Sequence, residues 1–257
     1  MNNLLCMLII CTADNKGADI MGKEIIVALD AGHGYNTLGK RCMKSIDPNQ
    51  TREWWMNDRI IDKVEKKLAN YNVKIIRVDD TTGKSDVSLA NRVKKANNEK
   101  ADVYISMHHN AGINGGNGGG TMVFYYSSKA VRATQAKTLY DLIVGETKLV
   151  GNRSEKVKNY GFYVIKHTNM PAFLVENGFM DSKTDVPIIL TDSHAEKTAT
   201  AVVKFLEREF GMTKKVVEAP KEENVLYRVQ VGSFKNRENA EKLLAELKEK
   251  GYIGLIV

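Results

Sequence analysis

The chain has 257 residues, of which 43% are apolar and 7% aromatic, enough to bury one full α/β core and leave residues for a small appendage. Its net charge of +7 is spread along the sequence without a basic tail or arginine-rich arm, which argues against a nucleic-acid-binding protein. Cys6, Cys11 and Cys42 lack the C-x-x-C spacing, so we expect reduced cysteines rather than a disulfide framework or a thiolate zinc site.

Residues 1–22 precede the first predicted strand, and we interpret them as a leader or an upstream extension. Leu4 to Ile10 form an apolar run, but no basic residue stands before it and no small-residue cleavage site follows it. The run is also far too short to cross a membrane. We therefore expect neither a signal peptide nor a membrane span.

Downstream, short apolar runs alternate with stretches of helical periodicity. This is the pattern of an α/β fold with a mostly parallel, twisted sheet flanked by helices. Ser193 and Glu196 have the spacing of a capping box for the last helix of this domain, and Gly211 is expected to end it. The predicted strands are 25–29, 73–78, 103–107, 121–126 and 172–174, and the predicted helices are 53–68, 89–98, 134–149 and 193–210.

Three of the predicted strands run into side chains that can bind a metal ion or move a proton. His33 follows the first strand, His108 follows the third, and Glu176 follows the last. Because the carboxyl ends of parallel strands converge on one crevice of an open sheet, these groups can meet although they are distant in sequence. A glutamate at the end of an apolar run is costly to bury without a purpose. The pattern indicates a site.

The two histidine segments differ in how clearly they indicate a ligand. A single histidine at a strand end is often a core or turn residue, but Gly32 and Gly34 free the backbone around His33 for a close approach. His109 points to the opposite side of the strand from His108 if strand geometry continues through both residues. Only one of these two neighbours can then easily reach the ion.

Four motifs occur in order and at compatible spacings over roughly residues 23–211. In these motifs the chain resembles the zinc-dependent N-acetylmuramoyl-L-alanine amidases of the Amidase_3 family. A lone Gly-His-Gly would not be specific, whereas the four together are. The motifs are Leu29-Asp-Ala-Gly-His-Gly34, Glu53 with Asn57, Ala101-Asp-Val-Tyr-Ile-Ser-Met-His-His-Asn-Ala111, and Pro171-Ala-Phe-Leu-Val-Glu-Asn-Gly-Phe179.

The resemblance implies one Zn²⁺ ion as the cofactor. Its ligands would be His33, Glu53 and His108, a set of two histidines and one glutamate that leaves a fourth position for water. Glu176 would be the carboxylate outside the ligand set, which takes a proton from the attacking water and delivers it to the leaving amine. Asn110 would orient His108 or contact the substrate.

The two carboxylates have plainer interpretations as well. A glutamate in the first turn of a helix, like Glu53, commonly serves the helix dipole. Asp47 in the preceding loop is a competing oxygen donor for the metal. Glu176 could be a buried carboxylate paired with a basic residue such as Arg92 or Arg153.

Three other polar residues are candidates of lower rank. Asn110 follows its strand directly, and a simple turn role is about as well supported as a substrate contact. His167 and His194 lack the strand-end context. We expect both to be surface or packing residues.

The C-terminal segment has a different pattern. Residues 212–224, rich in Lys and Glu, read as a solvated linker. Beyond it we predict a strand over 227–234, an amphipathic helix over 236–250 and a strand over 253–257. Residues 225–257 resemble the first half of a SPOR domain, a small fold that in its family binds peptidoglycan glycan strands stripped of their peptides. We expect a truncated, partial α+β appendage that is poorly stable alone.

The resemblance implies hydrolysis of the amide bond between N-acetylmuramic acid and L-alanine in bacterial peptidoglycan, as an autolysin, a mother-cell lysis enzyme or a prophage endolysin. The expected partners are peptidoglycan glycan strands and stem peptides, and the protein is expected to be a monomer. Without a signal peptide, it would be made in the bacterial cytoplasm and act on the wall after lysis or non-classical release. Two alternatives are a related zinc carboxypeptidase that trims wall peptides and a non-catalytic wall-binding protein.

Overall fold

A computed structural model describes residues 23–215, 231–252 and 256 of the chain. The chain divides into two units, Met1–Val216 and Val217–Val257. No helix in the described ranges is long and apolar enough to span a membrane.

The first unit is built on one sheet of six strands. The strands are β1 (Ile25–Ala31), β2 (Val73–Arg77), β3 (Val103–Asn110), β4 (Thr121–Tyr125), β5 (Val157–Asn159) and β6 (Ala172–Phe179). Their order in the sheet is β2-β1-β3-β6-β4-β5. All neighbouring pairs are parallel except β4 with β6, which is antiparallel. The three strands that carry the site motifs therefore lie side by side at the centre of the sheet.

Helices cover both faces of this sheet. They are α1 (Glu53–Leu68), α2 (Leu89–Asn98), α3 (Ala130–Thr147), α4 (Tyr163–Lys166), α5 (Val186–Ile189) and α6 (Asp192–Phe210). Residues alternate between the two faces along each strand, so Val27 and Leu29 pack with α1, α3 and α6, whereas Ala28 packs with α2 and α4. The predicted α/β fold with a mostly parallel sheet flanked by helices is confirmed.

The elements differ from the predicted ones mainly at their ends. Strand β6 continues to Phe179 and β3 to Asn110, so Glu176 and His108 lie within strands rather than after them. Helix α3 begins at Ala130, four residues before the predicted start. The short elements β5, α4 and α5 were not predicted, because three or four residues are too few for a periodic pattern.

The predicted capping box of α6 is wrong. The N-cap is Thr191, whose side chain accepts a hydrogen bond from the backbone N–H of His194. Ser193 lies inside the first turn instead. Both positions carry a hydroxyl, and the sequence alone does not show which one has the extended backbone that a cap requires. The helix ends at Gly211, in the left-handed conformation, as predicted.

In the first unit, the chain after Gly211 still packs on the domain. Met212 is buried, and Tyr71 forms an antiparallel bridge with Lys214. The backbone N–H of Lys215 donates to the carbonyl of Asn70 at 2.8 Å. Residues 212–215, placed in the predicted linker, thus contact the first unit.

In the second unit, helix α7 (Arg237–Glu249) matches the predicted helix. The side chain of Asn236 caps it by accepting a hydrogen bond from the backbone N–H of Glu238. Of the two predicted strands, residues 227–230, 253–255 and 257 lie outside the described residues. Residues 231–234 form no strand.

Candidate metal centre

Three potential metal ligands meet at the carboxyl ends of β1 and β3. His33 lies in the loop after β1, Glu53 is the first residue of α1, and His108 lies near the end of β3. Nε2 of His33 and Nδ1 of His108 lie 3.3 Å and 3.1 Å from the same oxygen, Oε1 of Glu53. One donor atom from each residue falls within 4.8 Å of the others. The structure thus brings together the three predicted zinc ligands.

The carboxylate of Glu53 is the centre of this cluster. The side chain is buried, and Oε1 also accepts the backbone N–H of His109 at 3.2 Å. Burial alone would raise the pKa of Glu53, but hydrogen bonds from His108 and His33 lower it well below its usual range. Burial alone would lower the pKa of His108, and the neighbouring Glu53 carboxylate raises it on balance. Oε2 of Glu53 is buried and accepts no hydrogen bond from the described residues.

The backbone around His33 is specialised for this approach. His33 has a φ of 70°, a left-handed conformation that costs a residue with a side chain free energy and is frequent at functional sites. A Cβ atom on Gly34 would lie 2.8 Å from the backbone nitrogen of Asp86, so the loop packs tightly on the far side as well. The Gly-His-Gly motif is therefore explained by space and backbone conformation.

A buried ion pair fixes the backbone of the loop that carries His33. Arg92 in α2 pairs with Asp30 at the end of β1 and donates hydrogen bonds to the carbonyls of Ala31 and His33 at 2.9 Å and 2.8 Å. Asp30 also accepts hydrogen bonds from the hydroxyls of Tyr104 and Ser106. Burial would raise the pKa of Asp30, but the Arg92 charge lowers it on balance, so the carboxylate is anionic.

His109 points away from the cluster, as strand alternation requires. Its Nδ1 lies 2.8 Å from Oδ1 of Asn57, whose amide nitrogen donates to the carbonyl of Gly32 at 3.1 Å. Burial and the nearby His194 lower the pKa of His109 to about 3, so the ring is neutral. His109 and Asn57 therefore connect β3 and α1 to the loop that carries His33.

Glu176 lies beside the cluster on the neighbouring strand. Its Cα is in register with that of His108 in the parallel pair β3–β6. The side chain is partly exposed, and its Oε2 atom is buried without a hydrogen-bond partner. Burial raises the pKa of Glu176 to about 7, although the charge of His108 opposes the shift.

Neither of the basic residues considered as partners of Glu176 pairs with it. Arg92 binds Asp30 and Asp86, and the guanidinium of Arg153 stacks over the ring of Phe179 at 4.6 Å. Within the described ranges, the structure contains no salt bridge to Glu176. The carboxylate thus lies at the site without a structural ion-pair role.

Asp47 and Asn110 use their side chains in local contacts. Both oxygens of Asp47 accept backbone N–H groups, from Asn49 at 3.1 Å and from Thr51 at 2.7 Å, which occupies the carboxylate outside the ligand cluster. Oδ1 of Asn110 accepts the N–H of the next residue at 2.8 Å, and its amide nitrogen contacts the sulfur of Met122.

The remaining histidines lie away from the ligands. His167 is exposed after α4, whereas His194 is buried in α6. One residue near the ligands was not predicted. Nζ of Lys40 lies 3.8 Å from Oε2 of Glu53, and no periodic pattern in the irregular segment 35–52 indicates this position.

Known proteins share the sequence and the fold of this chain. Residues 27–208 match the model of the Amidase_3 family, described as N-acetylmuramoyl-L-alanine amidase. The chain belongs to the Amidase_3 family. Among the relatives, an amidase named CwlM from Bacillus licheniformis is 29% identical over 232 residues, covering 90% of this chain and 84% of the relative. The endolysin of Bacillus phage SPP1 is 32% identical over 204 residues, with 77% and 71% covered.

A solved structure extends the agreement to the fold of the amidase. The N-acetylmuramoyl-L-alanine amidase of Clostridium difficile 630 superimposes with a TM-score of 0.65 at 26% identity, covering 74% of this chain and 98% of that one. Residues 193–257 match the SPOR domain model. The predicted family, enzyme class and SPOR resemblance are thus confirmed, and both domains imply binding to peptidoglycan.

Proposed function

We propose that this amidase hydrolyses the bond between N-acetylmuramic acid and L-alanine with one zinc ion, held by His33, Glu53 and His108, and with Glu176 as the general base. The observation that carries the proposal is the register of His108 with Glu176. It sets a potential ligand and an unpaired carboxylate side by side on neighbouring strands.

The side chains present fit a zinc ion. Two imidazole nitrogens and a carboxylate form an attested three-ligand set for catalytic zinc. Oε2 of Glu53 is a further reason. It is buried, accepts no hydrogen bond from the described residues and has only Nζ of Lys40 at 3.8 Å, and a buried carboxylate oxygen is expensive unless something else satisfies it. Either oxygen of the Glu53 carboxylate would then serve as the ligand. When bound, the ion would act as a Lewis acid that polarises the scissile carbonyl and makes water a better nucleophile.

Glu176 has the properties of the proton carrier. In the metal-free protein the pKa of Glu176 is raised to about 7, which makes the carboxylate a stronger base than an ordinary glutamate and still lets its acid form give the proton up again. It would accept a proton from the attacking water and pass that proton to the nitrogen of the leaving L-alanine. Because the nitrogen is protonated, L-alanine leaves as a neutral amine, which is a better leaving group than an amide anion.

Around this chemistry we propose a monomer that acts on glycan strands and stem peptides of the wall. Its proposed role is that of an autolysin, a mother-cell lysis enzyme or an endolysin. Synthesis in the cytoplasm with release by lysis or a non-classical route is the location we propose.

Substituting the two carboxylates separately tests the assignment. Glu176→Gln should keep stoichiometric zinc and the fold but lose at least about a hundredfold in turnover. Glu53→Gln should instead weaken zinc affinity, since it removes a ligand. Near-normal turnover of Glu176→Gln would eliminate the proposed mechanism.

Analysis of the products separates the enzyme classes. Mass spectrometry of digested peptidoglycan should show intact stem peptides with a free L-alanine amino group. Release of a single terminal residue would indicate a carboxypeptidase, and binding without any product would indicate a wall-binding protein.

A further inference from the structure

Two arginines face each other across a bridge next to the metal centre. Arg41 and Arg52 form an isolated antiparallel bridge, and the backbone N–H of Cys42 donates to the carbonyl of Thr51 beside it at 2.9 Å. Residues directly opposite in an antiparallel pair project to the same face, where like charges are destabilising. The two positive charges should therefore destabilise the bridge unless an anion compensates them.

Neither guanidinium has a partner within the described ranges. No ion pair, hydrogen bond or ring contact involves the side chains of Arg41 and Arg52 in that part of the chain. The other arginines described there are all engaged. Arg77, Arg92, Arg208 and Arg237 pair with carboxylates, Arg59 donates to two carbonyls, Arg132 bonds Gln135, and Arg153 lies over Phe179.

The two arginines line a groove that is open to solvent. Its other lining residues include the exposed aromatic rings of Tyr35 and Trp55 and the side chain of Gln50, and none of the described residues that line it is acidic. Aromatic surface with amide and guanidinium donors suits an organic anion better than a bare inorganic ion.

The loop that carries the arginines is held in shape before any ligand arrives. Asp47 accepts the backbone N–H groups of Asn49 and Thr51, and the N–H of Met43 donates to the carbonyl of Met180 at 3.0 Å. Because the backbone that carries the two arginines is already ordered, binding does not have to order this loop, which favours affinity.

The groove adjoins the chain segments that carry two of the candidate metal ligands. The backbone N–H of Glu53 donates to the carbonyl of Lys40, directly beside the Arg41–Arg52 bridge. Alternation along this ribbon points Lys40 and Glu53 toward the metal centre and the two arginines to the other face. Arg52 directly precedes Glu53 in the chain, and Tyr35 of the groove lies two residues after His33.

We infer that Arg41 and Arg52 bind a free carboxylate of the leaving stem peptide beyond L-alanine, and so set the specificity of the amidase. The inference rests on the proposed function. A planar guanidinium binds a carboxylate through two parallel hydrogen bonds, and the negative charge of the carboxylate would offset the repulsion between the two arginines.

The test uses soluble N-acetylmuramoyl peptides with free carboxylates and the same peptides with each carboxylate converted to a primary amide. The full-length zinc-loaded enzyme should prefer the free form by about 10- to 100-fold in kcat/KM. Arg41→Gln and Arg52→Gln should lose that preference through a higher KM, with kcat unchanged. Lys44→Gln, which removes the charge of an exposed residue of the same loop outside the groove, should keep it.

Activity on the amidated peptide serves as the internal check that each variant is folded. Equal cleavage of both peptides by the unaltered enzyme, or a preference that survives both arginine substitutions, would overturn the inference. A loss of attachment to phosphate-rich walls with the peptide preference intact would overturn it too, by assigning the arginines to wall polymers. If the unaltered enzyme cleaves neither peptide, the proposed function fails first and the inference with it.

Discussion

Gly32 leaves the space that the imidazole of His108 occupies. A Cβ atom on residue 32 would lie 2.1 Å from Cε1 and 2.3 Å from Nε2 of that ring, far inside van der Waals contact. The loop after β1 and the end of β3 can therefore pass each other at this distance only because residue 32 has no side chain. The position of His108 therefore depends on the absence of a Cβ atom at Gly32.

Gly32→Ala should displace His108 from Glu53 and weaken zinc binding by at least about tenfold, a loss typical of perturbed ligand orientation. Gly145→Ala is the matched control, because nothing lies within 4 Å of the added Cβ. That control should keep zinc affinity and slightly stabilise α3. Competition with a chromophoric chelator measures both. Equal zinc affinity in the two variants would contradict the steric argument.

Arg92→Met should leave the buried carboxylate of Asp30 without its ion-pair partner and destabilise the first unit by about 3–5 kcal/mol. It should also loosen the loop of His33, whose carbonyl Arg92 binds. Urea unfolding measures the stability. Adding Asp30→Asn to Arg92→Met should recover part of the loss, because the uncompensated charge is then removed. A single substitution that costs less than about 1 kcal/mol would show that the pair contributes little.

His108→Ala and His109→Ala should have opposite effects although the residues are neighbours. Loss of His108 removes a ligand, and two remaining ligands rarely hold zinc in water. Loss of His109 should keep stoichiometric zinc but lower the free energy of unfolding, since Asn57 loses its buried partner. Metal analysis beside thermal unfolding distinguishes them. Zinc lost from His109→Ala alone would reverse the ligand assignment.

Zinc binding should release protons and weaken as the pH falls. His108 must be neutral to act as a ligand, and its pKa in the metal-free protein is raised by Glu53. The pKa of Glu176 is about 7 without metal, and a nearby cation should lower it. Calorimetry in buffers of different ionisation enthalpy counts the protons. At about pH 7, Glu176→Gln should release fewer than the unaltered protein, and equal counts at every pH would refute the coupling.

Truncation after Val216 should preserve turnover of soluble muramyl peptides, because the site lies entirely in the first unit. Truncation after Gly211 should instead cost about 1.5–3 kcal/mol in the free energy of unfolding, from the lost burial of Met212, besides the Tyr71–Lys214 bridge. Chemical unfolding of the two truncated proteins compares them directly. Identical stabilities would show that residues 212–215 add nothing to the first unit.

The convergence of the site residues could be predicted from the sequence because the carboxyl ends of parallel strands lie at the same edge of a sheet. His33, His108 and Glu176 follow or end apolar runs, so their convergence could be predicted from periodicity alone. Glu53 could not be separated from Asp47 in that way. The choice came from the family resemblance, since both are loop or first-turn carboxylates with no periodicity to distinguish them.

Other features depend on distances that periodicity does not contain. The ion pair of Arg92 with Asp30 joins residues 62 positions apart, and the use of Thr191 rather than Ser193 as a cap depends on backbone angles. The approach of Lys40 to Glu53 arises in an irregular loop. In each case the deciding quantity is a three-dimensional contact between segments without regular patterns.

The registered pair of His108 and Glu176 has a consequence for how such an enzyme can diversify. Backbone hydrogen bonds hold neighbouring strands about 4.8 Å apart. The distance between the backbones of His108 and Glu176 is therefore set by the sheet and does not depend on the surrounding loops. Segments 35–52 and 111–120 can then change in length and composition while that distance stays constant. During evolution these two segments can change to suit a different cell-wall chemistry while the catalytic residues stay in place. In protein engineering, the same segments of one relative can be grafted onto the sheet of another.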